Sequence, residues 1–101
     1  MKYWNPTYEC MSRDEMTRVQ NQRLTNTVRH IYQNVPHYRD KMQKSGIEPG
    51  DITSIEDLKK LPFTYKQDLR DTYPYGMFSV PLSEIVRIHA SSGTTGKQTV
   101  V

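Results

Sequence analysis

Seven consecutive residues decide how this chain is classified: Ser91-Ser92-Gly93-Thr94-Thr95-Gly96-Lys97. The run holds four hydroxyl side chains, two glycines that are able to adopt a positive φ, and one cation. Backbone N–H groups in a turn of this composition can converge on an anion, while the hydroxyls and the lysine add donors and positive charge. Where a glycine lacks a Cβ, a phosphate oxygen can approach the backbone to about 2.9 Å. We interpret the run as a candidate polyphosphate-binding loop; a hairpin connection built from ordinary turn residues is the alternative.

The common nucleotide-binding and nucleophile motifs do not describe this loop. A Walker A loop needs a glycine five places before its Gly-Lys pair and a serine or threonine after the lysine, but Ser91 and Gln98 stand at those places. The Gly-x-Ser-x-Gly elbow of hydrolases and the Gly-x-Gly-x-x-Gly dinucleotide fingerprint are also missing. Phosphate binding here would therefore use a different loop design.

The segments on either side of the loop have the composition of β-strands. Glu84-Ile85-Val86-Arg87-Ile88-His89-Ala90 is rich in β-branched residues and follows Pro81, which predicts a strand. Thr99-Val100-Val101 is β-branched again and predicts the start of a second strand. A natural domain seldom ends on an unpaired apolar strand, so we expect this chain to be incomplete.

Upstream of Pro81 the sequence predicts four helices of decreasing length. The capping box Ser12-Arg13-Asp14-Glu15 begins a helix that runs to about Val35, and its apolar face requires a partner. Pro36 begins a second helix, which stops at Ser45-Gly46. Two shorter helices are predicted to start at Ser54-Ile55-Glu56-Asp57 and at Thr64-Tyr65-Lys66-Gln67, and prolines end both.

Composition limits the class of protein. Only 35% of the 101 residues are apolar and the mean hydropathy is −0.80, so the core is thin. The net charge is +3, but the arginines of the first helix do not form the single basic stripe typical of a nucleic-acid interface. The single cysteine, Cys10, excludes an intrachain disulfide and fits a reducing compartment. Neither a signal peptide nor an apolar membrane span is recognisable, so we expect a cytoplasmic protein.

These patterns predict an α+β chain. Residues 1–82 form a mainly helical segment, and residues 83–101 supply a strand, the phosphate loop and the start of a second strand. A stand-alone basic helical module that binds nucleic acid or phosphate without catalysis is the alternative. His30 and His37 are expected to be ordinary surface histidines, and His89 a half-buried strand residue.

The loop resembles the phosphate-binding signature of the adenylate-forming superfamily, which includes the acyl-CoA synthetases. Its flanks are similar to one branch, the phenylacetate-CoA ligases, and the resemblance covers essentially the whole chain. The segments that carry it are Tyr3-Trp4-Asn5-Pro6, Asn34-Val35-Pro36-His37-Tyr38-Arg39, Leu61-Pro62-Phe63-Thr64 followed by Lys66 and Asp68-Leu69-Arg70, Tyr73-Pro74-Tyr75-Gly76, and the run from His89 to Lys97. One position departs: the family usually has proline after the lysine, whereas Gln98 here is expected to leave the loop exit more mobile.

This resemblance implies the N-terminal part of an ATP-dependent acid–thiol ligase. The implied reaction converts phenylacetate or a related arylacetate to its coenzyme A thioester through an acyl-adenylate, with ATP, Mg²⁺ and coenzyme A as cofactors or co-substrates. The implied phosphate-binding residues are Ser91, Ser92, Gly93, Thr94, Thr95, Gly96 and Lys97. Catalytic residues, the acyl pocket, the adenine site and the magnesium ligand are expected beyond Val101, and no metal ligand is assigned within the chain. The fragment alone is expected to be inactive, no nucleic-acid or membrane partner is expected, and a homodimer is compatible with the family.

Overall fold

Helices dominate the computed structural model, which describes residues 2–93, 96 and 98–101. The α-helices in these residues are α1 (Pro6–Glu9), α2 (Arg13–Asn34), α3 (Pro36–Lys44) and α4 (Lys66–Asp71). Short 3-10 helices lie at Pro49–Asp51, Ile55–Lys60 and Leu82–Glu84. The order and most of the boundaries of the long helices agree with the sequence prediction.

Helix α2 begins and ends where local sequence chemistry requires. The Ser12 Oγ accepts a hydrogen bond from the Glu15 N–H at 3.2 Å, which satisfies one of the unpaired donors of the first turn. At the other end, Pro36 disfavours helical geometry for the residue before it, and Val35 is extended with φ −119° and ψ 92°. Pro36 then occupies the first turn of α3, where its missing N–H costs no hydrogen bond.

Helix α3 ends in a Schellman motif centred on Gly46. This glycine has φ +71°, a left-handed conformation that other residues adopt at a cost. Its N–H donates to the Gln43 carbonyl at 3.0 Å, and the Ile47 N–H donates to the Met42 carbonyl at 2.9 Å. Ile47 and Met42 also meet in the apolar core, so the turn fixes the direction of the chain as it leaves the helix.

The core lies between α2, α3 and the first 3-10 helices. Val28 of α2 and Met42 of α3 are almost fully buried, and Ile52 closes the cluster from the turn after Pro49–Asp51. Residues that complete this cluster are Leu24, Ile31, Tyr32, Val35, Tyr38, Ile47, Leu61 and Met77. The apolar face predicted for α2 therefore finds its partner in α3, and the Asn21 side chain adds a polar link by accepting from the Ile55 N–H at 2.8 Å.

Two local predictions upstream of the loop need correction. The predicted Thr64–Gln67 capping box does not form, because α4 starts at Lys66 and its N-cap is Tyr65. The Tyr65 N–H donates to the Asp68 carboxylate at 2.6 Å. The short segment Pro6–Glu9, for which no helix was predicted, is helical, and the Asn5 side chain accepts from the Tyr8 N–H at 3.4 Å.

The predicted strand over Glu84–Ala90 is wrong for the residues that the structure describes. Leu82–Glu84 is a 3-10 helix, and the β pairing assigned there is an isolated antiparallel bridge between Ala90 and Val100. A β-strand needs a neighbour to accept its backbone hydrogen bonds, and among the described residues this pairing is found only at His89, Ala90 and Ser91. Val86 is consequently 96% exposed despite its β-branched side chain. The division at residues 82/83 stays a prediction.

Candidate functional site

The candidate loop stands on a short antiparallel neck. His89 and Val101 exchange both backbone hydrogen bonds at 2.8 Å, and Ala90 bridges Val100. One step closer to the loop, the Ser91 N–H donates to the Thr99 carbonyl at 2.9 Å. The return bond from the Thr99 N–H goes to the Ser91 hydroxyl, also at 2.9 Å. A side-chain oxygen therefore makes the contact that a backbone carbonyl would make in a regular ladder.

Both glycines of the loop use the conformational freedom that the sequence predicts for them. Gly93 has φ +71° and Gly96 has φ +116°. A Cβ on Gly93 would lie 2.8 Å from the Gln98 Cγ and 3.2 Å from the Gly96 carbonyl oxygen, so this glycine is required for both conformation and space. The Gly96 N–H donates to the Gly93 carbonyl at 3.4 Å.

The structure brings together the described part of the predicted phosphate site. Ser91, Ser92 and Gly96 are exposed at the end of the neck, while Gly93 is partly covered. Thr94, Thr95 and Lys97 belong to the same prediction, but they lie outside the described residues. His89, expected to be half-buried, is exposed because no sheet covers it among the described residues.

An apolar cavity of about 410 Å³ lies beside the neck. Its lining residues include Leu69, Met77, Phe78, Val80, Ile85 and Val100. Val100, the neck residue that bridges Ala90, is 7% exposed, so its side chain packs against the body of the chain. This cavity is lined largely by side chains that can neither ligate a metal nor transfer a proton.

A polar cluster that the sequence analysis missed lies around Asp68 of α4. The Lys41 Nζ donates to the Asp68 Oδ2 at 2.8 Å and to the Phe63 carbonyl at 2.6 Å. The His37 Nε2 lies 2.8 Å from the Asp68 Oδ1, and an ionised carboxylate only accepts, so this nitrogen carries the hydrogen. With the Tyr65 N–H also donating, one carboxylate joins α3 to the start of α4.

Charge and burial explain the electrostatics of this cluster. Asp68 is 9% exposed, and its hydrogen bond from Lys41 holds the pKa of the carboxyl well below its usual range, with contributions from the Tyr65 amide and His37. Next to it, the Tyr38 hydroxyl donates to the Pro62 carbonyl at 2.9 Å, and burial raises the pKa of that hydroxyl. The Tyr38 and Lys41 contacts therefore tie Pro62 and Phe63 to α3.

Sequence spacing could have revealed part of this cluster. His37 and Lys41 are four residues apart and share one face of α3, which is the spacing that lets two donors reach one acceptor. Their acceptor is 27 residues beyond Lys41 along the chain, and that separation leaves no periodic signal. Across residues 2–93, 96 and 98–101, no three His, Cys, Asp or Glu side chains come together as a metal site would require. In the same residues, no helix has both the length and the apolar character needed to cross a bilayer.

Solved structures define the class of protein to which this fold corresponds. A 2-hydroxyisobutyryl-CoA ligase, in complex with 2-HIB-AMP and CoA in its thioesterification state, matches with a TM-score of 0.89 at 33% identity, covering 99% of this chain and 22% of that one. The open conformation of such a ligase matches with a TM-score of 0.86 at 31% identity, covering 99% and 24%. The chain has the fold of the corresponding part of an adenylate-forming CoA ligase.

Curated relatives narrow this class of CoA ligases to one kind of enzyme that the chain resembles. Phenylacetate-coenzyme A ligase from Aromatoleum evansii is 56% identical over 93 residues, which is 92% of this chain and 21% of the relative. The enzyme of the same name from Escherichia coli (strain K12) is 55% identical over 93 residues, with the same coverage, and that of Thermus thermophilus is 46% identical over 98. A scan against protein-family models found no match. The resemblance to phenylacetate-CoA ligases is confirmed, and the chain spans about a fifth of the length of these relatives.

Proposed function

We propose that this chain is the N-terminal part of an ATP-dependent ligase that joins phenylacetate, or a related arylacetic acid, to coenzyme A. The observation that carries the proposal is identity of 55–56% to phenylacetate-CoA ligases over 92% of the chain. The run Ser91–Lys97 adds a chemical reason, because its composition suits the phosphates of ATP. The proposal concerns the whole enzyme, of which this chain supplies one segment.

The proposed reaction has two steps. In the first, a carboxylate oxygen of the acid attacks the α-phosphorus of ATP, and the bond to the β-phosphate oxygen breaks to release pyrophosphate. In the second, the sulfur of coenzyme A attacks the acyl carbonyl carbon of the adenylate, the thiol proton is lost, and AMP leaves with the electron pair of the broken acyl–oxygen bond. The difficult part of the first step is the negative charge that grows on the departing pyrophosphate.

The loop is proposed to stabilise that charge. Backbone N–H groups of Gly93 and Gly96, with the hydroxyls of Thr94 and Thr95, are assigned to the β- and γ-phosphates, and Ser91, Ser92 and Lys97 support them. The positive φ of both glycines supports this role, since backbone anion sites use residues in that conformation. Donors fixed before the reaction need no reorganisation as the charge develops. The Gly96 N–H would exchange its long bond to the Gly93 carbonyl, 3.4 Å, for a phosphate oxygen.

The rest of the site is proposed to lie in other parts of the enzyme. Adenine and ribose contacts, the acyl pocket, the binding site for coenzyme A and the ligand of a magnesium ion are not among the residues assigned here. No three potential metal ligands come together in the described residues, so no step is assigned to a metal bound by them. The 101-residue chain by itself is therefore proposed to be catalytically inactive.

Selectivity for the acid is also proposed to depend on the rest of the enzyme. A ligase named for a branched hydroxy acid has nearly the same fold over 99% of this chain, so this segment is compatible with different acyl groups. Phenylacetate is proposed as the substrate because the relatives with the higher sequence identity carry that name.

The test is pyrophosphate–ATP exchange by the full-length protein that contains this chain. Labelled pyrophosphate should enter ATP only when an arylacetic acid is present, because exchange requires reversible formation of the adenylate. Acetate and 2-hydroxyisobutyrate serve as comparison acids. Exchange with phenylacetate well above the comparison acids supports the proposal, and no exchange with any arylacetic acid would refute it.

A further inference from the structure

The neck of the loop contains a hydrogen bond whose purpose the phosphate assignment does not explain. Ser91 and Thr99 face each other across the neck, and the Ser91 N–H donates to the Thr99 carbonyl at 2.9 Å. The Thr99 N–H does not return this bond to a carbonyl; it donates to the Ser91 Oγ at 2.9 Å. The Ser91 hydroxyl therefore accepts a hydrogen bond inside the neck, and its own hydrogen is still able to donate.

That bond controls how far the two arms of the loop separate. In a regular antiparallel ladder the return bond would go to the Ser91 carbonyl and hold the arms at the spacing of a hairpin. When the hydroxyl takes its place, regular pairing stops at Ser91 and the chain is able to turn away into Ser92 and Gly93. The next contact across the loop is packing, because Gly93 approaches the Gln98 side chain so closely that a Cβ would lie 2.8 Å from the Gln98 Cγ.

We infer that Ser91 is a positioning residue, whose hydroxyl closes the neck and so sets where the Gly93 and Gly96 amides stand. A hydroxyl has two acceptor lone pairs and one donor hydrogen, and here one lone pair is occupied by the Thr99 N–H. This inference rests on the proposed function for its kinetic consequence, but the hydrogen bond in the neck is independent of that function.

Three variants of the full-length protein separate positioning from direct binding. Ser91→Ala removes the acceptor, Ser91→Thr keeps a hydroxyl on a β-branched side chain that suits an extended backbone, and Ser92→Ala removes the neighbouring exposed hydroxyl as the matched control. Each is measured for hydrogen–deuterium exchange at the Thr99 amide without ATP, and for KM of ATP and kcat in pyrophosphate–ATP exchange.

A positioning role predicts that Ser91→Ala accelerates hydrogen–deuterium exchange at the Thr99 amide before any ATP is added, and that Ser92→Ala does not. It also predicts a KM for ATP raised about three- to tenfold in Ser91→Ala, the loss expected for one hydrogen bond, with KM for the acid unchanged. Ser91→Thr should restore both the amide protection and the KM for ATP to within about twofold of the parent.

The outcomes that overturn the inference differ from those that overturn the proposed function. Unchanged Thr99 exchange in Ser91→Ala would show that the neck does not depend on the hydroxyl. A raised KM for ATP together with unchanged Thr99 protection would make Ser91 a direct ligand. If the parent protein shows no pyrophosphate–ATP exchange with any acid, the proposed function fails. Hydrogen–deuterium exchange at the Thr99 amide still decides whether Ser91 closes the neck.

Discussion

Replacing Asp68 with asparagine tests how the segment before the loop is held. Asp68→Asn keeps the shape of the side chain and an oxygen that can accept one hydrogen bond, but it removes the negative charge. Lys41, whose side chain is only 22% exposed, then loses its anionic partner and keeps the Phe63 carbonyl, and His37, at 28%, loses an anionic acceptor. The perturbation is therefore electrostatic and leaves the packing volume unchanged.

The expected loss follows from this burial. Removing one member of a fully buried ion pair costs roughly 3–5 kcal/mol, whereas exposed pairs contribute about 0–1 kcal/mol. The partners of Asp68 are partly exposed, and asparagine retains an acceptor for the Tyr65 N–H, which lies at 2.6 Å. We therefore expect a loss of folding free energy between those limits, about 2–3 kcal/mol. The control is Asp71→Asn on the exposed side of the same helix, where the Gln67 amide donates at 2.7 Å; we expect a change below about 0.5 kcal/mol.

The assay is urea unfolding followed by circular dichroism, at several pH values. The pKa of Asp68 is lowered on folding, so its stabilisation is fully present above the pKa of an unfolded aspartate, about 3.9, and is lost as the pH falls through the lower folded value. Asp68→Asn should therefore differ most from the parent near neutral pH and converge with it in strong acid. A loss equal to that of Asp71→Asn, or a difference independent of pH, would refute this reasoning.

Three further predictions concern residues elsewhere in the chain. Gly46 and Gly93 share φ +71°, but a Cβ on Gly46 would meet nothing within 4 Å. Gly46→Ala should therefore cost about 1–2 kcal/mol of stability in urea unfolding and leave pyrophosphate–ATP exchange intact. Gly93→Ala should lower that exchange at least tenfold, and equal effects of the two variants on exchange would contradict this prediction. Tyr38→Phe removes the hydroxyl that donates to the Pro62 carbonyl at 2.9 Å and should cost about 1 kcal/mol in the same unfolding assay, and an unchanged midpoint would show that the bond contributes nothing. The 101-residue chain alone should form no acyl-CoA, and it should show no measurable affinity for nucleic acid in a filter assay across a salt series. Thioester formation by this chain, or strong salt-dependent binding of nucleic acid, would favour the alternative of a stand-alone module.

Local chemistry made most of the helical fold predictable. The Ser12 cap, the Pro36 start and the Gly46 stop each act through the residue's own backbone or side chain, so the sequence places the ends of α2 and α3 correctly. The Asp68 cluster was missed because its members meet only after the chain has folded. The same limit explains the cap of α4, where Thr64 fits the pattern of a cap but Tyr65 occupies that position.

The strand prediction failed for a different reason. Residues 84–90 have the β-branched composition of a strand, but pairing depends on a neighbour, and among the described residues the pairing extends back only to His89. The glycines of the loop were predictable because a positive φ is a property of the residue, and both adopt it. The role inferred for the Ser91 hydroxyl was not predictable, because its partner Thr99 is eight residues away across a turn.

The central claim, that these residues supply the phosphate loop of a phenylacetate-CoA ligase, is tested most directly by exchanging segments between relatives. The matched 93 residues of this chain replace the corresponding segment of the Escherichia coli phenylacetate-CoA ligase, to which they are 55% identical. The chimera is assayed for pyrophosphate–ATP exchange with phenylacetate, beside the same chimera carrying Gly93→Ala or Gly46→Ala. The account predicts exchange within about tenfold of the parent enzyme in the chimera and in its Gly46→Ala form, and a further loss of at least tenfold with Gly93→Ala. A folded chimera without phenylacetate-dependent exchange, or one indifferent to Gly93→Ala, would contradict it.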